Sequence, residues 1–324
     1  MEIKIPYYED NSRISNSAIG WYLKHGPQFL RDKLDGKIPD EKSSAMDRGT
    51  MIHMYLLQPE EFDKTYEVFN GLLPRSDNQK KFCEELANSI ELEPNKALLS
   101  AYKASYKVTT QNDDLTLSKA QEMASTYAQY IDLLKRKSDK IQINSYDVNM
   151  LEKISANVRE HGLAYDLLYP KTGENHHEFH INWDWCDVPC KSLLDCCTFN
   201  ITTKTCTLVD IKTTVHLWQF EESVKLYDYT RQLCFYKCAL EWYINNVLDD
   251  ESSKWSFKYY IIAIDTTGRY DVRVFDIREE QIDSRWSLLF NVIKAIKYHI
   301  SSGNWKHSID YYNFEGRDFL NLDD

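Results

Sequence analysis

The segment NITTKT, Asn200–Thr205, lies between two β-rich runs, CKSLLDCCTF and TCTLVDIKTT. Turn-forming polar residues between such runs read as a hairpin, here with Ile201–Lys204 as its loop. That one turn fixes a register. Asn200 faces Thr205, and counting back five residues on each strand sets Asp195 directly opposite Asp210. Their Cβ atoms then lie ~5 Å apart on one face, where like charges destabilise a sheet. Side chains alternate along a strand, so Lys212 joins that face while Val209 and Ile211 point to the other. Interior strands normally exclude charge, which leaves two explanations for an acid and a base two residues apart. Either the strand is a surface strand with a local ion pair, or it carries reactive groups into a cleft.

A divalent cation held by Asp195 and Asp210 would remove their repulsion, and ligation by oxygen alone suits Mg²⁺ or Mn²⁺. Phosphodiester hydrolysis uses those parts. The metal activates a water and screens developing charge, while a lysine orients that water or stabilises the transition state.

The rest of the chain supplies a context for the hairpin. Ser15 or Ser17 can cap a helix through AIGWYLKHGPQFLRDKL, and SAMDRGTMIHMYLLQPEEF reads as a second helix ended near Pro59. Apolar residues at three- and four-residue spacing make LSKAQEMASTYAQYIDLLKRK and DVNMLEKISANVREHGLAYDLL helical. HHEFHINWDW precedes the hairpin as a third antiparallel strand. A helix in YDYTRQLCFYKCALEWYINNV follows, then strands in WSFKYYIIAID and RYDVRVFDI, and a last helix from about Glu279 to Ser301. With no internal repeat and no Pro/Gly/Ser-rich linker, the reading is one α/β domain over residues 1–324. Its helical N-terminal part covers about 13–165 and its catalytic core about 174–302.

A chain of 324 residues can bury a sizeable core. Its formal charge of −11 argues against a surface coated with nucleic-acid contacts, though a locally basic groove can coexist with an acidic exterior. The densest basic run, LLKRKSDK, reads as a solvated helix end. Eight cysteines without a CxxC pair, in a chain whose polar start is not a signal peptide, read as buried free thiols. Cys196 and Cys197 should face opposite sides of their strand. No apolar run approaches the length of a bilayer span, and a cytoplasmic protein is expected.

The spacing from Asp195 to Asp210-Ile211-Lys212 resembles the PD-(D/E)XK nuclease superfamily. RISNSAIGWYLKHGPQFL and MDRGTMIHMYLLQPEEFDKTY resemble the N-terminal helices of phage RecE-type exonucleases (exonuclease VIII), with a Gly-Thr-x-x-His signature at Gly49, Thr50 and His53. EFHINWDWCDVPCKSLLD resembles the strand pair leading to the first aspartate. YDYTRQLCFYKCALEWY resembles the Tyr-x-x-Gln-x-x-x-Tyr helix shared with RecB-like nucleases. The resemblance implies a restriction-endonuclease-like core, a mixed central sheet flanked by helices, with helical N-terminal elaboration. It implies Asp195, Asp210 and His53 as metal ligands for Mg²⁺ or Mn²⁺ and Lys212 as the catalytic lysine. Gln232 and Tyr236 would contact DNA or brace the site.

Glu178 falls where the family often has a strand glutamate, while His176, His177 and His180 beside it read as a polar strand end. Gly49, one turn before His53, would permit close approach of another backbone. There are departures: Leu193-Leu194 stands where Arg-Pro is common, residues 71–144 match nothing in the family, and no GxxxxGK[ST] loop occurs. The resemblance further implies an enzyme that resects linear double-stranded DNA ends 5′ to 3′ in a bacterial host's cytoplasm. It would act as a homo-oligomer, away from membranes, and pass single strands to a phage annealing protein. A structure-specific or restriction-like endonuclease on the same core, or a non-catalytic DNA-binding module, are the alternatives.

Overall fold

The computed structural model describes residues 6–39, 43–89, 93–108, 112–136 and 138–306. The chain divides into two compact units, one made of residues 1–59 and 150–324 and the other of residues 60–149. In chain order the first unit begins with helices α1 (Asn16–His25), α2 (Pro27–Leu34) and α3 (Ser44–Leu57). Ser15 caps α1 by accepting from the Ala18 N–H at 3.2 Å. The single helix expected through Leu34 is broken at Gly26-Pro27. Gly26 takes φ +83° and returns its N–H to the Tyr22 carbonyl, and Pro27, which has no N–H to give, opens α2. The same rule acts at Pro59, where α3 stops and α4 (Pro59–Thr65) starts.

The second unit carries a two-stranded parallel ladder, β1 (Tyr66–Val68) with β2 (Ile141–Ile143), and four helices between them. These are α5 (Asp77–Asn88), α6 (Pro94–Tyr106), α7 (Asp113–Thr126) and α8 (Ala128–Lys135). They close on a core of their own that includes Phe82, Ala101, Tyr102, Ala120, Tyr127 and Ile131. The basic run LLKRKSDK ends α8, and its Lys137 lies outside the described residues.

The chain continues through α9 (Ser145–Glu160) and α10 (Leu163–Leu168) into the sheet strands β3 (Glu174–Trp185), β4 (Val188–Asn200) and β5 (Thr205–Thr214). Helices α11 (Phe220–Leu226) and α12 (Tyr229–Asn246) cross back to β6 (Ser256–Asp265), and β7 (Val272–Ile277) follows. The last helix is interrupted at Ser284-Arg285, giving α13 (Glu279–Asp283) and α14 (Trp286–Ser302). The five strands lie in the order β3-β4-β5-β6-β7. Only the β5–β6 pair is parallel, as the helical crossover between them requires. This is the mixed sheet flanked by helices expected from the sequence.

Helix α12 packs on β3 and β4 and buries Leu233, Cys234, Phe235, Ala239, Leu240 and Ile244. Each large apolar side chain removed from water there stabilises the unit by about 1.5–3 kcal/mol. Helix α3 packs on β4 and β5 from another direction, which brings its His53 to the strands that carry the aspartates. All eight cysteines are free and seven are buried. Cys197 joins the core, while Cys196 on the other face points its thiol at the Leu167 and Leu168 carbonyls and Asn175.

Candidate active site

The hairpin has the register its turn dictates. Asn200 pairs with Thr205, and the ladder runs back pair by pair to Cys196 and Val209. There the two strands part. The first half of β4 pairs with β3 and, through one parallel bridge at Cys190, with Ile14, while β5 from Asp210 to Thr214 pairs with β6 alone. Asp195 and Asp210 are therefore the first residues on the two arms of a fork. The Ile211 N–H, past the last β4–β5 pair, donates to Asp195 Oδ2 at 2.6 Å, which fixes one oxygen of that carboxylate.

Asp210 is 1% exposed, so β5 is not a surface strand. The acid and base nevertheless form an ion pair, with Lys212 Nζ 2.5 Å from Asp210 Oδ2. Among the described residues, no donor makes a well-directed hydrogen bond to either Asp210 oxygen. Burial raises the Asp210 pKa. Lys212 opposes that shift, and Asp195 adds to it. Burial also works against the Lys212 charge, but Asp210 and Asp195 outweigh it and hold the ammonium above the ordinary lysine value.

Glu178 extends the row to a third strand. Its neighbours His177 and Phe179 pair with Cys196 and Leu194, which puts Glu178 opposite Asp195. At this level both strands change phase. Core-facing residues of β4 are Cys190 and Leu194 before Asp195 but Cys197 and Phe199 after it, and Glu178 takes φ +47°. Positive φ is uncommon for a residue with a side chain and marks a kink that re-aims it. His53 Nδ1 lies 3.6 Å from Asp195 Oδ1. One ligand atom each from His53, Glu178 and Asp195 falls within a mutual 4.8 Å, a spacing that could hold a metal ion.

Two carboxylates and an imidazole converging there, with the undirected oxygens of Asp210 one strand over, suit a hard divalent cation. The residues present therefore fit such an ion. Glu178, given no firm role by the sequence, stands in this group, whereas His176 pairs with Glu174 at 3.1 Å and His180 bonds Asn182 at 2.9 Å. The His177 ring nitrogens lie 3.0 Å from the Leu57 carbonyl and 2.7 Å from that of Leu168, which ties β3 to the ends of α3 and α10.

On α12, Gln232 Nε2 donates to the Tyr236 hydroxyl at 2.9 Å, across the one-turn spacing. Burial raises the Tyr236 pKa well above its ordinary value, and Tyr7, Asp210 and Asp195 push the same way. This helix thus turns its polar pair toward the carboxylates. Gly49 does not admit a backbone: a Cβ there would meet Thr213 Oγ1 at 3.5 Å, an ordinary side-chain contact. Two neighbours of the site were given no role by the sequence, although Tyr229 is the first tyrosine of the Tyr-x-x-Gln-x-x-x-Tyr pattern. Tyr229 lies under the Lys212 ammonium at 5.0 Å, and Tyr7, whose carbonyl accepts from Lys191 at 2.5 Å, is near enough to Glu178 to feel its charge. Each reaches the site by a tertiary path that no periodicity encodes.

The Glu178 carboxyl is pushed up to about 8, first by burial and then by Asp195. A folded pKa above the unfolded 4.5 means the native state keeps a proton that the unfolded chain releases. That contribution to stability is fully present below about 4.5 and is lost as pH rises through about 8. Metal-free protein should therefore melt at progressively lower temperature across this window, and Glu178→Gln, which mimics the protonated form, should flatten the decline. Parallel slopes for parent and variant would place Glu178 outside the charged cluster.

A family model, the PDDEXK-like domain of unknown function (DUF3799), matches residues 22–307. Among solved structures, the chain is similar to the crystal structure of a "Putative exonuclease" from Eubacterium rectale. The TM-score is 0.51 over 94% of this chain and 88% of that one, at 12% identity, a level that speaks to the fold. No curated protein matches the chain. Among the described residues, no helix is long and apolar enough to cross a membrane. The family match spans most of the chain and includes the fork, α12 and the helix that carries His53: this chain belongs to the PDDEXK-like family, on a restriction-endonuclease-like fold.

Proposed function

We propose that the chain is a divalent-metal-dependent deoxyribonuclease that degrades linear double-stranded DNA from its ends, in the manner of RecE-type exonucleases. The observation that carries this reading is the row Glu178, Asp195, Asp210 on three adjacent strands, closed by His53 and flanked by the Lys212 ammonium. Family membership and the likeness to a "Putative exonuclease" support a nuclease. Cleavage 5′ to 3′, a role in phage recombination within a bacterial cytoplasm, an annealing-protein partner and a homo-oligomeric assembly belong to the same proposal.

His53, Glu178, Asp195 and Asp210 would hold Mg²⁺ or Mn²⁺, which when bound supplies a Lewis acid and a water of lowered pKa. The rest of the chemistry falls to the chain. Ile211 N–H fixes one Asp195 oxygen and leaves the other toward His53. Lys212, held in its charged form, presents a fixed cation where negative charge grows on the phosphate. Gln232 and Tyr236 brace the wall beside it.

The expected result is loss of linear duplex with Mg²⁺, none with EDTA, and survival of covalently closed circles under both conditions. Closed circles cut as fast as linear DNA would replace the exonuclease with an endonuclease on the same core. No cleavage of either substrate, with binding intact, would leave a DNA-binding module.

A further inference from the structure

Past Lys212, the end of β5 and the start of α3 border a groove of about 340 Å³. Arg48, Thr213, Tyr227 and Tyr229 are among its lining residues, and it contains no Asp or Glu although the chain carries a formal charge of −11. Among the described residues Arg48 has no carboxylate partner. The groove adjoins the site, because the Tyr229 ring that lines it is the ring beneath the Lys212 ammonium. Tyr227 stacks on Tyr229 with centroids 5.7 Å apart and planes at 22°, yet remains 60% exposed.

The two rings are stacked because the residue between them is bent. Asp228 takes φ +50°, the left-handed region, which Asp enters more readily than most residues with a side chain. It is held there by Arg285 Nε at 2.9 Å and by the Thr230 hydroxyl, which donates to it at 3.1 Å. An exposed ring held in a stack, beside an arginine with no carboxylate partner among the described residues, suits something flat and anionic.

We infer that this groove holds one unpaired nucleotide of the DNA strand adjoining the cleaved phosphodiester, with its base on Tyr227 and its phosphate at Arg48. The inference rests on the nuclease reading and gives that site a preference for frayed or overhanging ends. A base within a duplex has both faces covered, and a terminal pair leaves one free. A groove of about 340 Å³ has room for one nucleotide and not for a base pair, so the base that takes up the Tyr227 face must be unpaired. Stacking of a base on an aromatic side chain is sequence-tolerant, so the groove would not select a sequence.

The test uses full-length protein with Ca²⁺ in place of Mg²⁺ and duplex oligonucleotides carrying 2-aminopurine as the unpaired terminal base. Binding to the parent should quench the probe, and Tyr227→Ala should abolish the quenching and weaken binding roughly tenfold. Tyr227→Phe should restore both. Arg48→Ala should weaken binding and lower the salt dependence by about one counterion. Tyr298→Ala removes an equally exposed ring on α14 and should change nothing. Parent-like quenching and affinity in Tyr227→Ala, from a parent that cleaves DNA with Mg²⁺, would overturn the inference and spare the nuclease reading. Tyr227-dependent quenching in a protein that never cleaves would overturn the nuclease reading and leave the groove's ligand standing.

Discussion

Lys212→Ala is expected to lower turnover on the order of 10³-fold, the loss seen when a preorganised charge facing a developing anion is removed, while affinity for DNA in Ca²⁺ changes little. Neighbouring carboxylates hold the Lys212 ammonium charged above the ordinary lysine range, so it cannot serve as a general base near neutral pH. In the proposed reaction it would act as a fixed cation, 2.5 Å from Asp210 and over the Tyr229 ring at 5.0 Å. Lys212→Arg should not rescue the rate, because a planar guanidinium does not fill the place of a compact ammonium between an acid and a ring. The measurement is single-turnover cleavage of end-labelled duplex beside anisotropy in Ca²⁺. Near-normal cleavage by Lys212→Ala would reduce the residue to a structural ion-pair partner.

Asp210→Asn separates catalysis from stability. The raised pKa of Asp210 says that folding disfavours the charge on this carboxyl relative to the unfolded chain despite Lys212, because burial and Asp195 outweigh the ion pair. Asparagine supplies that neutral form at nearly constant volume, so without metal the variant should melt no lower than the parent. With Mg²⁺ or Mn²⁺ at a hundredfold excess over Kd, the parent should gain about 2.7 kcal/mol and several degrees in Tm. The variant should gain much less, and its cleavage should be lost. Thermal melts with EDTA and with millimolar metal decide the point. A destabilised variant that keeps the parent's full metal shift would remove Asp210 from the metal site.

The nearness of Asp195 to Asp210 was legible because a four-residue hairpin loop fixes a register locally, although the ladder stops one pair short of them, at Cys196 and Val209. The strand order was legible for a similar reason, since each strand of β3–β5 follows its neighbour in sequence. Glu178 was harder. Its convergence depends on a kink at φ +47° that period-two counting cannot foresee. The breaks at Gly26-Pro27 and Ser284-Arg285 were hidden inside continuous apolar periodicity, which fixes a helix face better than a helix end. His53 entered through resemblance alone, because nothing local links it to a strand far along the chain. Tyr229 stood in the Tyr-x-x-Gln-x-x-x-Tyr pattern without a role, Tyr227 had no signal at all, and the left-handed Asp228 that aligns them has no mark in composition.

The fork between β4 and β5 also orders events in time. A hairpin closed by four residues forms its contacts at small entropic cost, so local pairing alone brings the two aspartates to neighbouring positions. His53 joins them only after a closure that spans all of residues 60–149 in sequence. Zippering that starts at Asn200–Thr205 runs out at Cys196–Val209, the last pair before the two charges would face each other. The like charges that a cation would reconcile thus stand where further pairing would set them face to face, and the cleft between the strands is part of the fold itself.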